Sequence, residues 1–139
     1  MTLTYRRTDH TADFGMEIYG QSSAGLFENA AHALFDQIID PAGVKGVQEE
    51  NLTINGTDWP DLMVNWLREL LFLWAGRQEI LCEAVVDELT GTRLSARIKT
   101  AAYNPDRDSV LNEIKAVTYH QIDVSEIEDH WEARIIFDV

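Results

Sequence analysis

The stretch from Leu62 to Trp74 limits what this chain can become more than any other part of it. Leu62, Met63, Trp66, Leu67, Leu70, Leu71, Leu73 and Trp74 recur at helical spacing and cover more than half the circumference of one helix. A helix that apolar cannot rest on a surface and must be covered on most sides, so it belongs at the centre of the fold. Its tryptophans are accordingly expected in the core rather than on a binding platform. The start is signalled by Asp58 as N-cap, Pro60 in the first turn and Asp61 three residues after the cap, where a carboxylate suits the positive end of the helix dipole. Gly76 is the expected C′ stop.

The rest of the sequence supplies the cover. Residues 14–19 alternate apolar with small or polar side chains like a half-buried strand that stops at Gly20. The Ser22-Ser23 pair then offers an N-cap. Phe27, Ala30, Ala31, Leu34 and Ile38 form one apolar stripe on a helix reaching about Ile39, closed by Asp40-Pro41 and Gly43. Leu52 and Ile54 alternate with Thr53 and Asn55 as a short strand. Residues 80–86, a turn at Thr90-Gly91 and residues 93–102 read as two further strands, followed by a polar loop, the segment "IKAVTYHQIDV" and a last strand from about Trp131. No internal repeat, low-complexity tract or linker is evident. With 139 residues and 45% hydrophobic content the chain is expected to form one domain. The expected fold is α+β: a two-layer sandwich with a largely antiparallel sheet and two main helices packed on one face.

Charge narrows the function classes. Against 24 acidic residues stand 11 basic ones, a formal net charge of −13. Such a field repels phosphate backbones and attracts divalent cations or the basic surface of a protein partner, so direct nucleic-acid binding is not expected. A single cysteine, Cys82, permits no internal disulfide and no CxxC pair, and reads as a small buried thiol. No apolar run approaches the roughly 20 residues that span a bilayer, and the start "MTLTYRRTDH" has no hydrophobic signal core. The expectation is a soluble, cytoplasmic protein without a membrane partner.

Three places carry candidate chemistry. In "RTDHTADFGMEIYG", Asp9, His10, Thr11 and Asp13 crowd the mouth of the first strand, where a turn would need only one polar residue. In the last strand Trp131, Ala133, Ile135 and Phe137 share the core face, which turns Glu132, Arg134, Ile136 and Asp138 the other way. Asp138 thus projects from the core beside Val139 and its α-carboxylate. If Asp13 approached from a neighbouring strand, three carboxylates would meet without a cation among them, and an all-oxygen set suits Ca²⁺ or Mg²⁺ better than zinc. Spacing alone leaves the plainer alternative open, a turn-forming Asp13 and a solvated Asp138. The third place is "KAVTYH", where Lys115, Val117 and Tyr119 point one way and Ala116, Thr118 and His120 the other. Lys115 in an otherwise apolar strand could neutralise a carboxylate or hold a phosphate. His120 reads as a hydrogen-bonded structural group.

The segments "DHTADFGMEIYG", "LFENAAHALFDQI", "WLRELLFLW", "EIKAVTYHQIDV" and the terminus "IIFDV" occur in this order in the archease family, and the chain resembles that family over essentially its whole length. The resemblance implies a small acidic accessory protein of RNA processing. It implies a protein partner, the GTP-dependent RNA-splicing ligase that joins 3′-phosphate or 2′,3′-cyclic-phosphate ends to 5′-hydroxyl ends, which is stimulated in forming its guanylate intermediate and returned to multiple turnover. Modulation of a tRNA cytosine methyltransferase is the alternative attached to the family. The resemblance further implies a Ca²⁺ site, with Mg²⁺ or another hard divalent cation as substitute, on Asp13, Asp138 and Val139. Lys115 would be a charge partner near it, and His10 and Thr11 would shape the loop that presents Asp13. Asp108 falls about where members of the family carry a histidine, which would add a carboxylate near the site. An enzyme, a metal-dependent hydrolase using Asp13, Asp138 and His120, is the less favoured class, since the sequence has no HExxH, no GxSxG and no Gly-rich phosphate loop.

Overall fold

The computed structural model describes residues 3–8, 13–40 and 48–139, residues 13 and 14 by their backbone alone. Along these residues run β1 (Tyr5–Thr8), β2 (Asp13–Gly20), α1 (Ser23–Ile38), β3 (Ile39–Asp40), β4 (Gln48–Asn55), α2 (Trp59–Arg77), β5 (Glu79–Leu89), β6 (Arg93–Ala102), β7 (Ser109–Val110), β8 (Ala116–Ile127) and β9 (His130–Asp138). Every described strand pairing is antiparallel, in a four-stranded sheet ordered β1-β2-β9-β8, a three-stranded sheet ordered β4-β6-β5 and the short pair β3-β7. The expected α+β sandwich of two helices and antiparallel strands is present. Its strands are divided among these sheets, and each helix touches both larger ones, α1 against β2 and β5 and α2 against β8, β4 and β5. That double contact is why α2 can be apolar around most of its circumference.

Trp66 is fully buried and donates its indole N–H to the Phe27 carbonyl at 2.9 Å, tying α2 to α1. Trp59 lies against Phe27 and Trp131, with ring centroids 6.0 and 4.9 Å apart, and Trp74 meets Tyr103 edge-on at 5.0 Å. Trp66 is a core residue, as its spacing predicts, whereas Trp59, Trp74 and Trp131 are partly buried against the core. Ser22 and Asp58 cap the two helices, accepting from Gly25 N and Asp61 N at 3.0 Å each. Gly76, by contrast, is not the stop of α2. The helix continues to Arg77 and ends at Gln78, which takes the left-handed conformation (φ 51°) and returns its N–H to the carbonyls of Leu73 and Trp74. Cys82 is half-buried and unpaired. Pro41 and Gly43, read as the stop of α1, lie outside the described residues.

The structure also holds a repetition that the sequence reading missed. At the end of β2, Gly20 lies so close to Leu26 that a Cβ would collide with its backbone, and Asn29 donates to the Tyr19 carbonyl at 2.7 Å. At the end of β4, a Cβ on Gly56 would stand 2.6 Å from Leu62 N, and Asn65 donates to the Asn55 carbonyl at 2.9 Å. Both units thus run strand, glycine, cap, helix, with the same asparagine bracing the strand end. The match hides in sequence because only the glycine, the cap, a leucine and the asparagine need to be alike.

β9 lies between β2 and β8. The faces alternate: Ala133, Ile135 and Phe137 enter the core, with Ile135 and Phe137 fully buried, whereas Trp131 is only partly buried and Ile136, on the opposite face, is buried too. On the opposite face the register aligns Arg6, Glu17, Arg134 and Asp123 in one row across four strands. Arg6 and Glu17 are in contact at 2.8 Å, and the hydrogen bonds from Arg6 and then Tyr19 hold the Glu17 carboxyl below its ordinary range. At the far end of the β8–β9 hairpin the two ring nitrogens of His130 stand 3.1 Å from Asp129 and 3.0 Å from Glu132, and these carboxylates, Glu132 first, raise its pKa.

Trp66→Ala should cost about 3–5 kcal/mol of unfolding free energy in a denaturant titration, whereas Phe72→Ala, on the same helix but 57% exposed, should change it by less than about 0.5 kcal/mol. His130 binds its proton more tightly in the folded than in the unfolded chain, so its contribution is fully present below the ordinary value of 6.5 and is lost as pH rises through the raised pKa. The stability advantage of the native protein over His130→Ala should therefore shrink with rising pH across that window.

Candidate functional site

Backbone pairing brings the two ends of the notable sequence together. Asp13, first residue of β2, is the register partner of Asp138, last residue of β9. Opposed Cα atoms in such a pair are ~4.5–5.5 Å apart. Asp138 is held on its other side too, because it pairs with Ala116 of β8 and its carbonyl accepts the Lys115 N–H at 2.8 Å. Asp13, Asp138 and the Lys115–Ala116 peptide therefore lie in one rung at one end of the four-stranded sheet, with Val139 immediately beyond. The side chains of Asp138 and Val139 are exposed.

The surroundings leave this rung acidic. The next row, Thr8, Gly15, Ile136 and Thr118, carries no charge. The first strand-borne cations of that face, Arg6 and Arg134, come one row later, roughly 7 Å along the strands, and already stand beside Glu17 and Asp123. Lys115 is exposed, and among the described residues no carboxylate lies within ion-pair distance of its ammonium group; it meets the rung through its backbone.

The remaining candidates fall in different places. Asp108 is buried, its carboxylate gripped at both oxygens by Arg107 at 2.8 Å and by the Asn104 N–H at 3.0 Å, which closes the polar loop after β6. His120 is exposed, with its N–H directed to Thr118 Oγ1 at 3.3 Å. His10 and Thr11 lie outside the described residues. Among the described residues no three His, Cys, Asp or Glu side chains are grouped to hold a metal, and the side chain of Asp13 is not among those described. The donors that the rung would offer, the carboxylates of two aspartates, are hard oxygens and fit a Ca²⁺- or Mg²⁺-type ion.

A cleft of about 440 Å³ lies at the opposite end of the sheet, lined by Tyr19, Asn29 and His130 among others. An apolar cleft with polar groups is the usual first candidate for a binding site. Here two of the polar side chains are already engaged, Asn29 with the Tyr19 carbonyl and His130 with Asp129 and Glu132. The acidic rung is the stronger candidate.

One side chain that sequence reasoning did not single out, Arg68, reaches the neighbouring rung and links to Tyr119 and Asp61. Arg68 of α2 donates to the Val117 carbonyl at 3.3 Å and lies 4.7 Å over the ring of Tyr119, and Tyr119 donates its hydroxyl to Asp61 at 2.7 Å. Asp61 drew notice only as a helix-dipole residue, and Tyr119 only as part of "KAVTYH"; nothing in linear spacing links them.

Known proteins share this architecture. The chain is 34% identical to the protein archease of Methanosarcina mazei, over 97% of this chain and 95% of that one. Its fold superposes on the solution structure of Methanobacterium thermoautotrophicum protein 1598 with a TM-score of 0.81, at 28% identity and covering 98% and 99% of the two chains. It superposes on the crystal structure of an archease from Thermotoga maritima, described as a possible chaperone, with a TM-score of 0.61 at 21% identity and 96% coverage of each. Residues 5–139 match the Archease protein family (MTH1598/TM1083), and the chain belongs to that family.

Proposed function

We propose that this protein is a non-catalytic accessory factor that activates the GTP-dependent RNA-splicing ligase of tRNA splicing and RNA repair, promoting its guanylylation and its return to multiple turnover. The observation that carries the reading is the rung that sets Asp13 opposite Asp138 at an exposed sheet end, with no cation in the adjoining row. Family membership supports an accessory role, and the description of the Thermotoga maritima protein as a possible chaperone accords with a protein partner.

On this reading Asp13, Asp138 and Val139 hold a divalent cation, Ca²⁺ in the first instance. When bound, the ion neutralises the converging carboxylates and presents a fixed positive charge at the sheet end. The chain's own part is positional. Paired strands on both sides keep Asp138 from fraying, so the acidic tip reaches the partner preformed. The net charge of −13 steers it toward a basic surface, and rim electrostatics of this kind govern encounter rate more than final affinity. At the ligase's active site the tip favours the conformation or metal occupancy that guanylyl transfer needs. Lys115, next to the rung, moderates its charge.

Multiple-turnover ligation by the cognate ligase tests the proposal, with no added protein, with this protein, and with Asp138→Ala. The native chain should stimulate, and loss of one carboxylate should reduce that stimulation roughly 10–100-fold. Equal stimulation by both forms would remove the tip from the mechanism. Failure of both, with partner aggregation suppressed in a sedimentation assay, would favour a holding role of chaperone type. In parallel, millimolar Ca²⁺ should raise the melting temperature of the native chain by mass action and leave that of Asp138→Asn unchanged.

A further inference from the structure

Between Thr118 and Asp123, β8 leaves its register with β9. Before that break it holds only three rungs, Ala116 to Asp138, Val117 to Phe137 and Thr118 to Ile136, and it is the edge strand of its sheet. Within the break Gln121 is in the left-handed region, φ 52°, and the ladder resumes at Asp123 opposite Arg134. Three rungs on an edge, with Val117 the one side chain among them that enters the core, are a short hold for the strand that flanks Asp138.

The compensation comes from α2. Arg68 reaches the Val117 carbonyl, within the second rung, and its guanidinium covers the Tyr119 ring just past the third. The Tyr119 hydroxyl is tied to Asp61 Oδ1, and the other oxygen of Asp61 accepts from Thr57 N at 2.8 Å and from the Thr57 hydroxyl at 3.3 Å. Asp61 itself is fixed by the Asp58 cap. A tyrosine that is 47% exposed adds little to the core, so the value of this arrangement lies in where it fastens the strand.

We propose that Asp61, Arg68 and Tyr119 form a pin that locks the start of β8 against α2 and thereby positions the backbone around Asp138; Arg68 and Tyr119 are positioning residues of the acidic tip. The inference deepens the accessory-factor reading and rests on it for the role of the tip, not for the pin itself.

Amide hydrogen exchange followed by NMR tests the pin without metal or ligase. Tyr119→Phe deletes only the hydroxyl and keeps the ring under Arg68, while Arg68→Ala removes the carbonyl contact and the stack. Both should accelerate exchange of the Lys115 amide, the donor to Asp138, about tenfold, with β2 amides unchanged. Titration with Ca²⁺ alone should then show several-fold weaker binding by both variants. Arg97→Ala, which breaks the exposed Arg97–Asp87 pair on the other large sheet, should bind like the native chain. Unchanged Lys115 exchange in both variants would overturn the pin, and accelerated exchange with native calcium affinity would overturn its positioning role. A native chain that binds no Ca²⁺ would instead sink the metal reading proposed above, and the exchange result would decide the pin alone.

Discussion

β9 is paired along both edges as far as Asp138, interrupted on the β8 side only at Ile135, and the rest of the molecule is arranged around that constraint. An interior strand must find partners for every N–H and carbonyl on both sides, because an unmet buried backbone group costs about as much as a lost hydrogen bond. β2 supplies one side to its first residue, and the Lys115 N–H completes the other. The register cannot slip, since a shift of one residue would exchange the faces and turn the fully buried Phe137 and Ile135 out of the core. Burial of two apolar side chains thus decides where an exposed aspartate points. The site is a consequence of core packing read one residue out of phase.

The same separation lets the protein carry its charge. The apolar helices, each in contact with both larger sheets, account for cohesion and leave charge to the outer faces. There the exposed pairs Arg6–Glu17, Arg97–Asp87, Lys99–Glu83 and Arg77–Glu50 each add little to stability, as screened surface pairs do. Their effect is on distribution. They hold these cations away from the rung at the end of β2 and β9, which Lys115 flanks through its backbone. The charge that the sequence declares in bulk becomes local only through this arrangement.

What was legible in the sequence followed from periodicity and caps. The burial of α2, the Ser22 and Asp58 caps and the face division of β9 are all properties of short windows, and the structure has them. Gly76 misled because a glycine signals a helix end only where the chain must turn left-handed, and here Gln78 makes that turn instead. The short β1, with four residues, gave too little pattern to read. The division of strands among sheets and the contact of Tyr119 with Asp61 depend on long-range pairing that no window contains. Resemblance to the family named Asp13 and Asp138 as a pair, and their opposition in one rung is a property of the fold. Asp108 shows what position in the chain leaves out: its carboxylate is held by the neighbouring Arg107.

The recurring strand, glycine, cap and helix unit gives an internal comparison for the acidic rung. Counting back equally from Gly20 and Gly56 reaches Asp13 in the first unit and Glu49 in the second. Glu49 is opposite Lys99, which also meets Glu83 at 3.4 Å, so that rung has its own counter-charge. Asp13 is opposite another aspartate. Like charges facing each other across a ladder destabilise it, by roughly 0.2–1 kcal/mol, where opposite charges would have stabilised it by as much. One framework therefore carries an ordinary surface rung at one strand start and an unfavourable rung at the other. Folding alone gives no reason for the difference, since the second unit shows that a cation can be accommodated opposite the same position. A ligand that brings positive charge to the aspartate rung, as the accessory-factor reading proposes, would supply that reason and would remove the repulsion only while bound.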